Sequence, residues 1–286
     1  MPLLLAWLLA GCAEDGSPLF GPPPQDATPA ATTQPTPVNL FDPAAAGPGS
    51  GPPRVIAFEI RLEIVCTSVR LGEVSGSAKL WNHIDEEVLD ADWAAHLRRN
   101  GLRVGLGALS SWAPIRAVLE ASPGVRTREP QRLRVPGGAP LRVGVDRVPR
   151  NQSLFLYRPD GRLVGADFLQ SVNAFSVDFA IPLTALDSVS LRVTPEVIQP
   201  NLPGGWDLTE PQIKPRPTEA ARRLGELTFE IVVPPEHFLL IGPSPEVTRE
   251  LLIGHALLTE QIDGERFESV YFLTPEVTQT ARTGLP

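Results

Sequence analysis

Two cysteines in 286 residues, Cys12 and Cys66, are too few for a disulfide framework. They are also too few for a structural zinc site built on several thiolates, and neither a metal nor any other cofactor is expected. Nowhere does the chain hold the roughly 18 consecutive apolar residues that a membrane-spanning helix needs. Basic residues are in the minority: 25 Lys and Arg against 33 Asp and Glu leave a formal charge of −8. Such a balance lacks the basic face that displaces counterions from nucleic acid, so nucleic acid is not an expected partner. The sequence has no Gly-x-Ser-x-Gly elbow, no P-loop and no His-Glu-x-x-His. It therefore reads as non-enzymatic, with no small-molecule substrate in evidence.

What is present begins at the first residues. Pro2 to Gly11, PLLLAWLLAG, is an apolar run too short to span a bilayer and of the right length for a signal peptide, residues 1–11. Leu9-Ala10-Gly11-Cys12 resembles the lipobox of bacterial lipoproteins. The resemblance implies cleavage before Cys12 and acylation of its thiol, with palmitate among the chains. It further implies sorting to the outer membrane, because Ala13 stands where Asp would favour the inner one. Several acyl chains on one residue make such anchoring stable. No Lys or Arg precedes the apolar run, although a signal normally carries a positive start. An ordinary cleaved signal and a buried N-terminal strand remain the other readings of this segment.

Residues 12–54 are rich in Pro, Ala, Gly and Thr, as in FGPPPQDATPAATTQPTPV and PAAAGPGSGPP. With few large apolar side chains they bury too little surface to offset chain entropy, which predicts a disordered, partly extended tether. A folded region is expected from Val55. In VIAFEIRLEIV, Ile56, Phe58, Ile60, Leu62 and Ile64 alternate with Ala57, Glu59, Arg61 and Glu63, a strand with one wet face. Cys66 shares the apolar parity and reads as a buried, inert thiol. Asp90 or Asp92 is placed to cap a helix running to Arg99, with Trp93 and Leu97 on one face and Gly101 beyond its end. Leu102, Val104 and Leu106 alternate as a short strand. Ser110 or Ser111 is placed to cap a second helix with Ile115, Val118 and Leu119 as its apolar face and Pro114 in the first turn. Residues 55–125 are thus expected as a small α/β domain.

From residue 130 to 280 strands dominate: Leu141 to Val145, Phe175 to Ile181, Val189 to Val193, Leu227 to Val233, then HFLLIG and SVYFLTPEV. Pro159-Asp160-Gly161-Arg162 and Pro203-Gly204-Gly205 mark turns between them. The fold class expected is α+β: a small α/β domain followed by a mostly antiparallel β domain.

Local chemistry is sparse. Gly105-Leu106-Gly107 reads as a tight turn, with an anion site before the second helix as the alternative. His83, Asp85 and Glu86 read as an acidic helix start facing solvent, with metal ligation as the alternative. His96, His237 and His255 have no neighbouring acid or base in sequence and read as singly packed or solvated. Trp206, in the Pro- and Gly-rich loop PNLPGGWDLTEPQIKPRP, is the residue singled out for partner contact, with folding back over the sheet as the alternative.

Three segments in order, Asp187-Ser-Val-Ser-Leu-Arg-Val-Thr-Pro-Glu-Val197, Phe229-Glu-Ile-Val-Val-Pro-Pro-Glu-His-Phe-Leu-Leu-Ile-Gly-Pro243 and Phe267-Glu-Ser-Val-Tyr-Phe-Leu-Thr-Pro-Glu-Val277, resemble the β domain of secretins, the outer-membrane channels of bacterial secretion. The likeness covers about a third of the chain. SPEVTRELLIGHALLTEQIDGE occupies the interval where secretins carry a gate, so the resemblance is to a degenerate secretin domain. It implies an outer-membrane lipoprotein with a structural or assembly role in the cell envelope, facing the periplasm or the surface. Its partners would be further copies of itself or a secretion-system protein. The rival reading is a binding module for a protein or a cell-wall polymer.

Overall fold

The even-numbered apolar residues near the start of the folded region define its first strand. The computed structural model describes residues 54–135, 140–145, 148–200, 206–207, 214–215 and 220–283. The signal, Leu9, Ala10, Gly11, Cys12, the tether to residue 53 and the Pro203-Gly204-Gly205 turn lie outside the described residues.

In chain order the elements are β1 (Arg54–Arg70), α1 (Ala91–Arg99), β2 (Leu102–Ala108), α2 (Trp112–Glu120), β3 (Arg126–Thr127), β4 (Gln131–Val135), β5 (Leu141–Gly144), β6 (Arg150–Tyr157), β7 (Leu163–Ala180), β8 (Val189–Gln199), β9 (Trp206–Asp207), β10 (Lys214–Pro215), β11 (Ala220–Arg223), β12 (Phe229–Val233), β13 (His237–Pro243), α3 (Ile253–Leu258), β14 (Thr259–Ile262) and β15 (Glu265–Thr283). The fold is mostly antiparallel β with a few short helices, as its alternating apolar pattern requires. No helix among the described residues is long and apolar enough to cross a membrane.

Among the described residues the strands form two main sheets. The first runs β2-β13-β15-β1, with β3 and β4 on the far edge of β1 and β14 alongside β15. The second runs β11-β8-β7-β5, with β12 on β8 and β6 on β7. Leu62, Ile64, Leu239, Ile241 and Leu273 of the first sheet share one buried core with Phe175, Val177, Leu191, Val193 and Ile231 of the second. A second cluster lies on the opposite face of the first sheet. There Val69, Leu240, Val270 and Phe272 meet Ile115 and Leu119 of α2, together with Leu80 and Trp81.

The segments 55–125 and 130–280 are not separate sheets. β1 pairs with β15 from Arg54↔Thr283 to Arg70↔Phe267, and β2 pairs with β13. All the described residues fall in one unit, 48–286.

Local signals explain several elements. Asp90 caps α1 by accepting the N–H groups of Asp92 and Trp93. Gly101 follows with φ +87°, the left-handed conformation expected beyond a helix end. The second helix differs from expectation at its start. Ser111 makes no side-chain cap, because a single 3-10 turn, Leu109–Ser111, winds directly into α2. Gly105 and Gly107 are neither a turn nor an anion site but lie within β2. A Cβ on Gly107 would overlap the Phe238 ring, and one on Gly105 would overlap the Asp85 carbonyl oxygen, so the glycines permit close packing.

Asn100 ties distant parts of the chain together. It is fully buried. Its Nδ2 donates to the carbonyls of His96 and Tyr157, both at 3.0 Å, and its Oδ1 accepts the Tyr157 N–H at 2.7 Å. The side-chain amide thereby pairs the outer edge of β6 as another strand would. Just beside it, Phe155 donates to Leu251 O, so this edge is covered. The backbone of Gly254, at the start of α3, passes so close to Asn100 and Gly101 that no Cβ fits there.

Candidate functional site

The wet face of β1 borders an apolar concavity. Thr67, Val65, Glu63 and Arg61 point away from the core between the sheets, on the parity opposite to Cys66, Ile64 and Leu62. α2 covers only part of this face, because its apolar stripe, Ile115 and Leu119, seats over the strands near Val69 and Val270. The remainder is an open groove of about 680 Å³. Its floor is Val65, Phe238 and Phe272, and its wall is Trp112, Leu119 and Val125. Trp112 stands edge-on to Phe272 at 4.9 Å between ring centroids and to Phe238 at 6.0 Å, the arrangement aromatic quadrupoles favour. The two phenylalanines are 1 % exposed, whereas Trp112 is only partly covered. At the mouth Arg116 and Glu120, one helical turn apart, form an ion pair at 2.7 Å.

Past Leu109, Glu63 and Thr274, which border both, the groove continues into a second hollow of about 670 Å³. Here the character changes. Arg61, Arg132, Asp187, Glu236 and Glu276 line it. Arg61 pairs with Glu59 and Arg132 with Glu63, each at 3.1 Å. Among the described residues no arginine pairs with Asp187, Glu236 or Glu276. The saddle between the two hollows is fixed by backbone: Leu109 N–H donates to Glu236 O at 2.7 Å, with Glu236 held at φ 60°. The Leu109 side chain is 43 % exposed there. The volume of the groove falls within the range of ligand pockets in general.

The residues singled out from sequence are elsewhere. Asp85 exchanges backbone hydrogen bonds with Leu106 and its carboxylate accepts the Glu87 N–H. Glu86 takes a bidentate pair from Arg103 and a third bond from Arg98. Partial burial pushes its carboxyl up, but the two arginines outweigh that and hold it below the ordinary range. The segment is thus not a solvated helix start: α1 begins only at Ala91, and Glu86 staples that helix to β2. Among the described residues no three His, Cys, Asp or Glu side chains gather as metal ligands. The rings of His96, His237 and His255 each sit against a backbone carbonyl, of Glu226, Pro235 and Val247. Trp206 lies on β9, which pairs with β10. Its side chain lies outside the described residues.

Cys66 is buried and free, as its parity requires. Burial pushes its thiol up, against the pull of the Arg128 guanidinium. Tyr271 faces it across the ladder, and burial raises its hydroxyl well above the ordinary range, with the Cys66 sulfur beside it.

The secretin-like segments map onto both sheets. Asp187–Val197 includes β8, Phe229–Pro243 spans β12 and β13, and Phe267–Val277 lies in β15. β12 and β13, consecutive in sequence, do not pair with each other: β12 joins β8, and β13 joins β15 and β2. The interval between β13 and β15 holds a 3-10 turn, α3 and β14. No protein-family model, curated protein or solved structure matches this chain.

The groove was missed in sequence because its three aromatic residues come from α2, β13 and β15. One signal was available. From Val65 onward the wet parity of β1 turns apolar, Val65 and Val69, so that part of the strand needs a cover on both faces.

Proposed function

We propose that this chain is a membrane-anchored lipoprotein of the cell envelope with an assembly role, and that its folded part is a non-catalytic docking module. The observation that carries this reading is the groove along β1 and β15, where Trp112 and Leu109 are left partly exposed above a buried aromatic floor. Exposed apolar concavities with a polar rim are where proteins engage other molecules. The reading is supported by the Leu9-Ala10-Gly11-Cys12 segment, as the anchor, and by the secretin-like order of segments, which favours a partner in secretion or envelope machinery.

Two measurements test the two halves. Metabolic labelling with a palmitate analogue is expected to mark the protein and to fail in Cys12→Ala, which should also leave the outer-membrane fraction. An unlabelled wild-type protein that never partitions with membranes overturns the anchor. A photo-crosslinker at Leu109 in living cells is expected to give a discrete adduct that Trp112→Ala abolishes. Val232, 47 % exposed on the second sheet, serves as the control position. Equal adducts at both positions, or none at Leu109, remove the groove as the docking face.

A further inference from the structure

The docking reading leaves the chemistry of the occupant open, and the two halves of the groove specify it. Along β1 the groove runs from Thr67 to Arg61, which at about 3.3 Å per residue is about 20 Å. That is too long for one side chain and fits about six residues of extended peptide. One end is an aromatic slot with no free charge on its floor. The other end has three carboxylates outside any ion pair among the described residues, Asp187, Glu236 and Glu276, beside the pairs Arg61–Glu59 and Arg132–Glu63. Glu236 and Glu276 are exposed, and Glu276 stands opposite Arg61 across the β1–β15 ladder. A carboxylate set of this kind attracts cations without first losing an internal partner. Sheet hydrogen bonding is not the mode of capture, because the groove lies on the face of the β1–β15 ladder, where the backbone groups are already paired. Recognition must come from side chains.

We propose that the groove holds an extended segment of a partner protein, with an aliphatic or aromatic residue against Trp112 and Lys or Arg about four residues further along, beside Glu236 and Glu276. The aromatic slot supplies the buried anchor that dominates interface energetics. The carboxylates set direction and select against acidic segments. The proposal rests on the docking reading, and the test separates the two.

The probes are fluorescein-labelled Phe-Leu-Ser-Ala-Lys-Arg, its Phe→Ser form, its Lys-Arg→Glu-Glu form and the reversed sequence, titrated by fluorescence anisotropy against the full chain purified in detergent. The parent peptide is expected to bind best. The Glu-Glu form should bind about tenfold more weakly, with the gap shrinking at high salt. Trp112→Ala should remove binding. Leu109→Glu, on the exposed saddle, gives the same answer should the tryptophan variant fold poorly. The double variant Glu236→Lys/Glu276→Lys is expected to invert the preference so that the Glu-Glu peptide wins. Indifference to the charged tail, or no inversion in the double variant, overturns the inference. Failure of every peptide to bind below about 1 mM while the Leu109 adduct still forms overturns it too, and leaves the docking reading standing. Failure of both removes both. Light scattering completes the set: a dimer that Leu109→Glu dissolves puts a second copy in the groove in place of the peptide.

Discussion

Asn100→Ala tests how far one side chain holds this fold together. Three hydrogen bonds from its amide join α1 to the outer edge of β6. Truncation leaves the Tyr157 N–H and C=O and the His96 carbonyl without these partners. Each bond contributes about 1 kcal/mol net, and a fully buried orphan costs about 1–3 kcal/mol. Tyr157 and His96 are only part-buried, so water recovers some of this. The expected loss is about 3 kcal/mol. For a unit of this size each kcal/mol moves the thermal midpoint about 2–4 °C, so a fall of about 6–12 °C follows. Calorimetry on wild type and variant reads it directly, and hydrogen exchange at the Tyr157 amide should lose protection in step. Asn100→Asp sharpens the argument. It keeps the acceptor for Tyr157 N–H but sets a carboxylate against two carbonyl oxygens in a buried site, which raises its folded pKa. The aspartate variant should therefore be worse than alanine at neutral pH. It should recover as pH falls, since a group with a raised folded pKa contributes stability that is lost as pH rises. A loss under about 1 kcal/mol for Asn100→Ala, or no pH dependence of the aspartate variant, refutes this account.

Gly254→Ala places a Cβ against the backbone of Asn100 and Gly101, which cannot yield as a side-chain end could. We expect a loss of about 3 kcal/mol or failure to fold, where Gly264→Ala, with φ +81° but open space, should cost less in the same urea titration. Glu86, held low by Arg103 and Arg98, contributes stability present above its unfolded pKa and lost as pH falls through the lower folded value. Urea midpoints of Glu86→Gln and wild type should thus differ at neutral pH and converge in acid; a gap that persists in acid would mean the packing, not the charge, is lost. In Cys12→Ala, which leaves Cys66 as the one thiol, Ellman's reagent should react only at the rate of unfolding, and fast labelling of this native variant would contradict the burial of Cys66.

How much of this was legible in sequence depends on range. The even parity of Ile60 to Cys66, the Asp90 cap and the Gly101 stop are decided within a few residues and were readable, whereas Phe58, of the same parity, is 38 % exposed. What was not readable is long-range. Gly105-Leu106-Gly107 suggested a turn because its reason, the Phe238 ring, lies on another strand. The division near residues 125–130 failed because β1 finds its partner in β15, about 200 residues later. His83, Asp85 and Glu86 suggested a site by composition, yet the arginines that engage Glu86 arrive from α1 and β2. The groove combines all these difficulties: Trp112, Phe238 and Phe272 carry no shared motif, and only the sheet order brings them together.

The β1–β15 ladder has a consequence for how the chain reaches this state. The first strand of the folded unit is bonded along its length to the last, from Arg54↔Thr283 to Arg70↔Phe267. Contacts of such sequence separation demand that a long loop be closed before any of their stabilisation is gained, which slows folding. During synthesis or passage through a narrow conduit, β1 has only the short strands β3 and β4 on one edge until residues 267–283 emerge, so its other edge waits unpaired. The first sheet thus acts as a completeness check. A chain cut short within β15 leaves β1 and β13 each missing a partner and fails as a whole, where an open-ended repeat would lose only its last unit.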